Sequence, residues 1–170
     1  HNMGPPTAAV ADLFYALDID PVGPVHASDR CLLVNADCKR VLPKIPSTSV
    51  HLVMIDPPYG AQVQSEEDKK WDKAWSEEEW HIIVDEVFRV LKPGGEFLFW
   101  EHVLSETDPV LAQRQVDMTP SQVRRADGCH LDRRTGETVR NAGFAKLDMK
   151  YLELSGFGVL NPTVSGIATA

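Results

Sequence analysis

The feature that most constrains this chain is an apolar run that ends against two prolines. Val50-His51-Leu52-Val53-Met54-Ile55 is nearly all apolar, and Asp56-Pro57-Pro58 follows it directly. A strand buried on both faces of a parallel sheet has that composition, whereas a half-exposed strand alternates. The run stops where it does because proline has no amide to give to a sheet ladder. A strand of this kind requires neighbouring strands and covering helices.

The flanking pattern supplies them. Cys31-Leu32-Leu33-Val34 reads as a short strand, and Asp37 to Leu42 as a short helix ended by Pro43 and Pro46. Residues 60–75 are polar and read as a loop. Ser76 and Glu79 have the spacing of a capping box, and Trp80, Ile83, Val84, Val87 and Phe88 then form one helical face. Pro93-Gly94-Gly95 ends that helix, and Phe97-Leu98-Phe99-Trp100 reads as a second buried strand. From Val103 to Arg133 the pattern is weak. Thr135 to Ala142 reads as a helix, Lys146 to Leu154 as a strand and Thr163 to Ala168 as a last strand. Alternation of strands and helices predicts an α/β domain with a mainly parallel sheet. Ligands of such sheets bind outside the carboxyl ends of the strands, and Asp56 stands at one of those ends.

Residues 1–30 carry Pro5, Pro6, Pro21 and Pro24, with Ala8 to Leu17 readable as one short helix. They are expected to be a tag remnant ahead of Met3 and a lead-in segment, with residues 31–170 as a single domain. His1-Asn2-Met3-Gly4 lacks the pattern of a signal peptide, and no apolar run reaches the roughly 18 residues that span a bilayer. Net charge is −8, which disfavours a protein that holds nucleic acid through a broad basic surface. Arg124, Arg125, Arg133, Arg134 and Arg140 form the densest basic cluster and read first as a solvated helix face, second as phosphate contacts. Cys31, Cys38 and Cys129 lack metal-ligand spacing, so neither a metal site nor a disulfide framework is expected. A reducing cytosol or nucleus fits them.

The chemistry concentrates in Asp56-Pro57-Pro58-Tyr59-Gly60. Two successive prolines stiffen an extended backbone and keep their carbonyls as acceptors. Asp56 adds a carboxylate that only accepts, and Tyr59 adds a flat aromatic face. Gly60 permits a turn or a close ligand. A planar ring with an exocyclic amine suits this set. The amine donates to Asp56 and to the Pro57 carbonyl, and the ring stacks on Tyr59, a contact worth about 1–3 kcal/mol per base. Two acceptors draw the amine hydrogens from the ring plane and free the nitrogen lone pair for an electrophilic methyl. Placement alone can lower such a barrier by roughly 7–11 kcal/mol. The competing reading is a strand followed by a plain proline turn. His102 and His130 read as structural, Trp80 and Trp100 as core, and Trp71 and Trp75 as loop residues able to close over a substrate.

Leu33-Val34-Asn35-Ala36-Asp37-Cys38, Asp56-Pro57-Pro58-Tyr59-Gly60, Trp71-Asp72 and Val90-Leu91-Lys92-Pro93-Gly94-Gly95 together resemble the amino-group DNA methyltransferases. The resemblance covers about residues 31–100 and is nearest to the permuted group whose Asp-Pro-Pro-Tyr motif precedes the glycine-rich cofactor motif. It implies a Rossmann-like class I methyltransferase sheet with helices on both faces and S-adenosylmethionine as cofactor. It further implies that Asp56, Pro57, Pro58 and Tyr59 hold the target amine, with Asp37, the Cys38 backbone and Asp56 beside the cofactor. For Asp37 alone, a helix cap is an equal alternative. Residues 101–170 resemble instead the small methyltransferase-like proteins that methylate thiols, through Glu101-His102-Val103, Asp127-Gly128-Cys129-His130-Leu131, Arg134-Thr135-Gly136 and Ala142-Gly143-Phe144.

Neither family's glycine turn is filled in this sequence. Gly156-Phe157-Gly158 has no strand-turn-helix pattern around it, so the complete glycine-rich cofactor half is expected to be missing. Three functions follow: methyl transfer to the exocyclic amine of a base, adenine before cytosine; methyl transfer to a thiol or other small acceptor; or a non-catalytic methyltransferase-fold subunit or fragment. The intact Asp56-Pro57-Pro58-Tyr59 favours the first. Nucleic acid, DNA before RNA, is then the expected partner, a second subunit completes the cofactor site, and the compartment is the cytoplasm or nucleus.

Overall fold

The computed structural model describes residues 26–27, 31–34, 36–55, 75–125 and 129–170. Strands β1 (His26–Ala27) and β2 (Leu32–Leu33) pair antiparallel in a small sheet of their own. The expected strand at residues 31–34 therefore exists but does not join the main sheet. Helix α1 (Cys38–Val41) runs into a 3-10 turn at Leu42–Lys44. Then come β3 (Val50–Met54), α2 (Glu77–Val90), β4 (Leu91–His102), α3 (Pro109–Arg125), α4 (Thr135–Asn141), β5 (Lys146–Leu152) and β6 (Thr163–Thr169).

The main sheet has four strands in the order β3-β4-β6-β5. β3 runs parallel to β4, and β6 lies antiparallel between β4 and β5. Consequently β3, β4 and β5 point one way and only β6 is reversed. The fold is α/β, as the alternation of elements requires. β4 is much longer than Phe97 to Trp100, because Leu91 already pairs with Val50 ahead of the Pro93-Gly94-Gly95 turn. Gly94 takes φ 78°, a value that favours glycine.

The period-2 alternation of β4 decides the layers. Phe97 and Phe99 point to the face covered by α2 and join Trp80, Ile83, Val84, Val87, Val139, Val164 and Ala168 in one buried cluster. Phe144 closes it, edge-on to Phe88 at 5.1 Å and stacked on Phe97 at 6.2 Å. Trp80 is core, as expected. Trp100 is on the other face and 57% exposed, which corrects its assignment to the core: an odd number of steps along a strand turns a side chain to the opposite face.

Helix α3 was not expected at all. Its seventeen residues are mostly polar, Pro120 interrupts them, and only Gln115 and Thr119 are buried. The local signal was Asp108-Pro109. The Asp108 carboxylate accepts from the amides of Val110 at 2.9 Å and Leu111 at 3.0 Å, and Pro109 sits at the first helical position. What fixes α3 is polar. Gln115 is fully buried; its Oε1 accepts from the Ser105 amide at 2.8 Å. Its Nε2 donates toward the carbonyls of Val103, Val159 and Asn161. One amide thus ties the segment after β4 to the turn that leads into β6.

Candidate functional site

β3 and β4 carry the chain to the edge where the motif begins. Met54 pairs with Leu98, and Ile55 packs against the core as the last described residue before Asp56. Asp56, Pro57, Pro58 and Tyr59 lie outside the described residues, as do Gly60 and Trp71. The description resumes at Trp75, where the chain is firmly held. Trp75 is buried and stacks on Trp80 with ring centroids 6.0 Å apart and planes at 25°. Its carbonyl accepts from Arg133 Nη2 at 3.4 Å. Trp75 is therefore part of the core and does not close over a substrate; the aromatic stack outweighs its polar sequence neighbours.

Immediately afterwards Ser76 Oγ accepts from the Glu79 amide at 3.1 Å, while Glu79 Oε2 accepts from the Ser76 amide at 2.8 Å. This is the capping box read from the sequence. Glu79 also reaches outside its own helix, where its Oε1 receives Lys39 Nζ at 2.6 Å. Lys39 follows Cys38 in the first turn of α1, and its amide donates to Asp37 Oδ1 at 2.9 Å. The corner holding Asp37 and Cys38 is thereby fastened to the start of α2, where the segment from Asp56 returns. Lys39→Met removes only a half-exposed ion pair and is expected to cost less than about 1 kcal/mol. Glu79→Ala removes the pair and half the capping box and is expected to cost about 1–2 kcal/mol. Urea unfolding of the two variants checks the order.

The cap reading of Asp37 is thus realised. One carboxylate oxygen is committed to Lys39, and Oδ2 is the atom that could meet a ribose hydroxyl. Burial first, and the neighbouring Asp37 charge second, push the Cys38 thiol upward, so it is a neutral, half-buried group. These donors and acceptors suit the adenosine end of S-adenosylmethionine only in part. The described residues offer no comparable set for its methionine end.

At the far end of β4 stand two buried charges that sequence reading did not separate out. Glu101 lies on the buried face by the same alternation that places Phe97 and Phe99 there, which was a legible signal. Arg133 is 4% exposed and its Nε has no hydrogen-bond partner. Cys129 feels both: burial raises its thiol, Gln122 and Arg133 act to lower it, and Glu101 adds to the rise. His102 Nδ1 lies 3.0 Å from Thr163 Oγ1, and burial lowers its pKa. His130 Nδ1 lies 3.3 Å from Asp132 Oδ1.

The arginines do not share one solvated face. Arg133 is buried, Arg134 reaches Glu137 at 3.6 Å, and Arg140 binds Glu106 at 2.8 Å and the Tyr151 hydroxyl at 2.6 Å. Tyr151 also donates to Glu106, and burial followed by that contact pushes its pKa up to about 12. A phenol held above its unfolded value of about 10 stabilises the fold below pH 10 and loses that contribution as pH rises toward 12. Tyr151→Phe is expected to flatten the alkaline limb of the stability profile, measured as unfolding midpoint against pH. Gly136 makes this contact possible, since any Cβ there would strike the Tyr151 hydroxyl. Among the described residues, no cluster of His, Cys, Asp or Glu is arranged to hold a metal, and no helix is long and apolar enough to cross a membrane.

No family model matches the chain. It is 38% identical over 71 residues to the thiol S-methyltransferase TMT1B of Rattus norvegicus, an overlap of 41% of this chain and 28% of that one. It is also 30% identical over 101 residues to the type II methyltransferase M.BamHI of Bacillus amyloliquefaciens, covering 52% of this chain and 22% of that protein. The chain resembles methyltransferases of two kinds. Both resemblances read from its motifs are therefore present, and the chain spans about a quarter of the length of these two curated relatives. A solved SAM-dependent methyltransferase from Archaeoglobus fulgidus superposes with a TM-score of 0.47 and 12% identity, covering 81% of this chain and 66% of that one.

Proposed function

We propose that this chain takes part in S-adenosylmethionine-dependent methyl transfer to the exocyclic amine of a nucleic-acid base, adenine before cytosine. The observation that carries the reading is Asp56-Pro57-Pro58-Tyr59-Gly60 beginning two residues after β3, whose last residue, Met54, pairs with Leu98 of the parallel β4. Similarity to the type II methyltransferase M.BamHI supports methyl transfer, while the choice of base rests on the motif alone. When bound, S-adenosylmethionine supplies the electrophilic methyl group. Asp56 and the Pro57 carbonyl accept the amine hydrogens, and Tyr59 stacks on the ring. The nitrogen lone pair would turn from the ring toward the methyl; the N–C bond would form as the donor's S–C bond breaks and leaves a neutral thioether, and the proton released from the nitrogen would pass to solvent water. Asp37 Oδ2 would meet the adenosine of the cofactor, and a second subunit would complete the methionine end.

The alternative acceptor is a thiol, which the TMT1B similarity favours. A thiol attacks as thiolate, so that reaction should accelerate as pH approaches the thiol pKa of about 8.5. An aromatic amine attacks through a lone pair that is not titrated in this range. Labelled methyl transfer to an adenine-containing oligonucleotide, run beside a small thiol, tests the choice. The oligonucleotide is expected to be labelled; label in the thiol alone would transfer the function to the second class.

A further inference from the structure

Helix α1, which follows Asp37, has four residues and no fully buried side chain, so it is too short to be stable by itself. Its neighbours therefore set its pose. Cys38 and Leu42 pack against the buried cluster, and Arg89 Nη2 donates to the Leu42 carbonyl at 2.8 Å. Cys38 and Leu42 are four residues apart, so both lie on one side of the helix. Contacts along one line fix where the helix sits and leave it able to roll about that line.

Lys39 opposes the roll. It projects about 100° round the helix axis from Cys38. Its Nζ donates to Glu79 Oε1 at 2.6 Å, and that bond is the first cause raising the lysine pKa, so the ammonium stays charged. Exposed ion pairs usually contribute little, because two long side chains must be ordered to make them. Here one partner is ordered in advance: Glu79 Oε2 accepts from the Ser76 amide at 2.8 Å, and the preceding Trp75 stacks on Trp80. The Lys39 amide in turn donates to Asp37 Oδ1 at 2.9 Å. One residue thus holds both the roll of the helix and the Asp37 carboxylate.

We propose that Lys39, held by Glu79, is a positioning residue for cofactor recognition. It sets the direction in which Asp37 Oδ2 meets the ribose of S-adenosylmethionine, and it touches no part of the cofactor itself. This inference rests on the reading that Asp37 contacts the adenosine. Oδ1 is committed to the Lys39 amide, so the carboxylate turns only as the helix turns. Without the ammonium on Glu79, the helix keeps its cap and its apolar contacts and loses its fixed roll. Ribose recognition then weakens while the fold stays.

Competition against labelled S-adenosylmethionine in equilibrium dialysis tests it, with adenosine and 2′,3′-dideoxyadenosine as competitors. In wild type, adenosine should compete about ten-fold better, the worth of hydroxyl bonds to a carboxylate. K39M should bind S-adenosylmethionine about five-fold more weakly and should compete equally with both nucleosides. K39R should restore the preference. E79Q keeps an oxygen for the Ser76 amide and should match K39M, and the double variant K39M/E79Q should lose no more than either alone. A general loss of packing would weaken both nucleosides together and leave their ratio unchanged. Wild type that binds the cofactor and prefers adenosine, beside a K39M that keeps the full preference, overturns this proposal alone. Wild type that binds no cofactor, or that does not distinguish the two nucleosides, overturns the Asp37 contact and this proposal with it.

Discussion

Asp56→Ala is expected to lower methyl transfer by about 10³-fold or more in kcat/KM, with the unfolding midpoint unchanged. Alanine removes an acceptor of the amine hydrogens and leaves the Pro57 carbonyl alone. The nitrogen lone pair then stays conjugated with the ring, and the amine loses its fixed direction. Asp56→Asn keeps one acceptor oxygen but sets an amide donor against the amine's own hydrogens, so it is expected to fall between wild type and alanine. Tyr59→Ala should chiefly raise KM, because stacking binds ground state and transition state alike. Mass spectrometry of the acceptor, with S-adenosylmethionine as donor, reads all three. Wild-type turnover in Asp56→Ala would remove the carboxylate from the mechanism.

Gln115→Leu is expected to cost about 3–5 kcal/mol of stability, a large share of the total for a domain of this size. Volume is nearly conserved, so the loss is polar. The Ser105 amide would be buried without an acceptor, and the carbonyls of Val103, Val159 and Asn161 would lose their shared donor. These groups lie between the end of β4 and the start of β6, so the register of β6 on β4 depends on them. Thr119→Val is the control. Among the described residues its hydroxyl bonds only to the Gln115 carbonyl one turn back, and its loss should cost about 1 kcal/mol. Denaturant unfolding followed by far-UV circular dichroism compares the two.

What was legible in the sequence is what depends on periodicity and short-range chemistry. The face of α2 and its capping box were readable because Trp80, Ile83, Val84 and Val87 repeat at helical spacing behind Ser76 and Glu79. β5 and β6 were readable from alternation, and β3 was readable as a strand from its apolar content, but the expectation that β3 is buried on both faces was wrong, since Leu52 and Met54 are 55% and 79% exposed. Long-range pairing was not. Nothing in Cys31-Leu32-Leu33-Val34 says that Leu32 and Leu33 will pair with His26 and Ala27 instead of joining the main sheet. The insertion of β6 between β4 and β5 is likewise a property of the assembled sheet. α3 escaped because a helix held by one buried glutamine carries no apolar stripe. Trp75 and Trp100 exchanged their expected places for a related reason: aromatic residues can lie on either face, and only the phase of the flanking element decides. For the site, Asp37 was readable equally as a helix cap and as a cofactor contact and the fold realises the cap, the link through Lys39 and Glu79 was invisible without the fold, and Asp56, Pro57, Pro58 and Tyr59 rest on their sequence and on the strand that leads to them.

Calorimetric titration of S-adenosylmethionine into the purified chain tests the central claim most directly, that a methyl donor sits beside the corner after β3. The account predicts weak but saturable binding through the adenosine end, with one cofactor per chain, weakened further in Asp37→Ala. Absence of any binding heat at millimolar cofactor, confirmed by equilibrium dialysis with labelled cofactor, would contradict it.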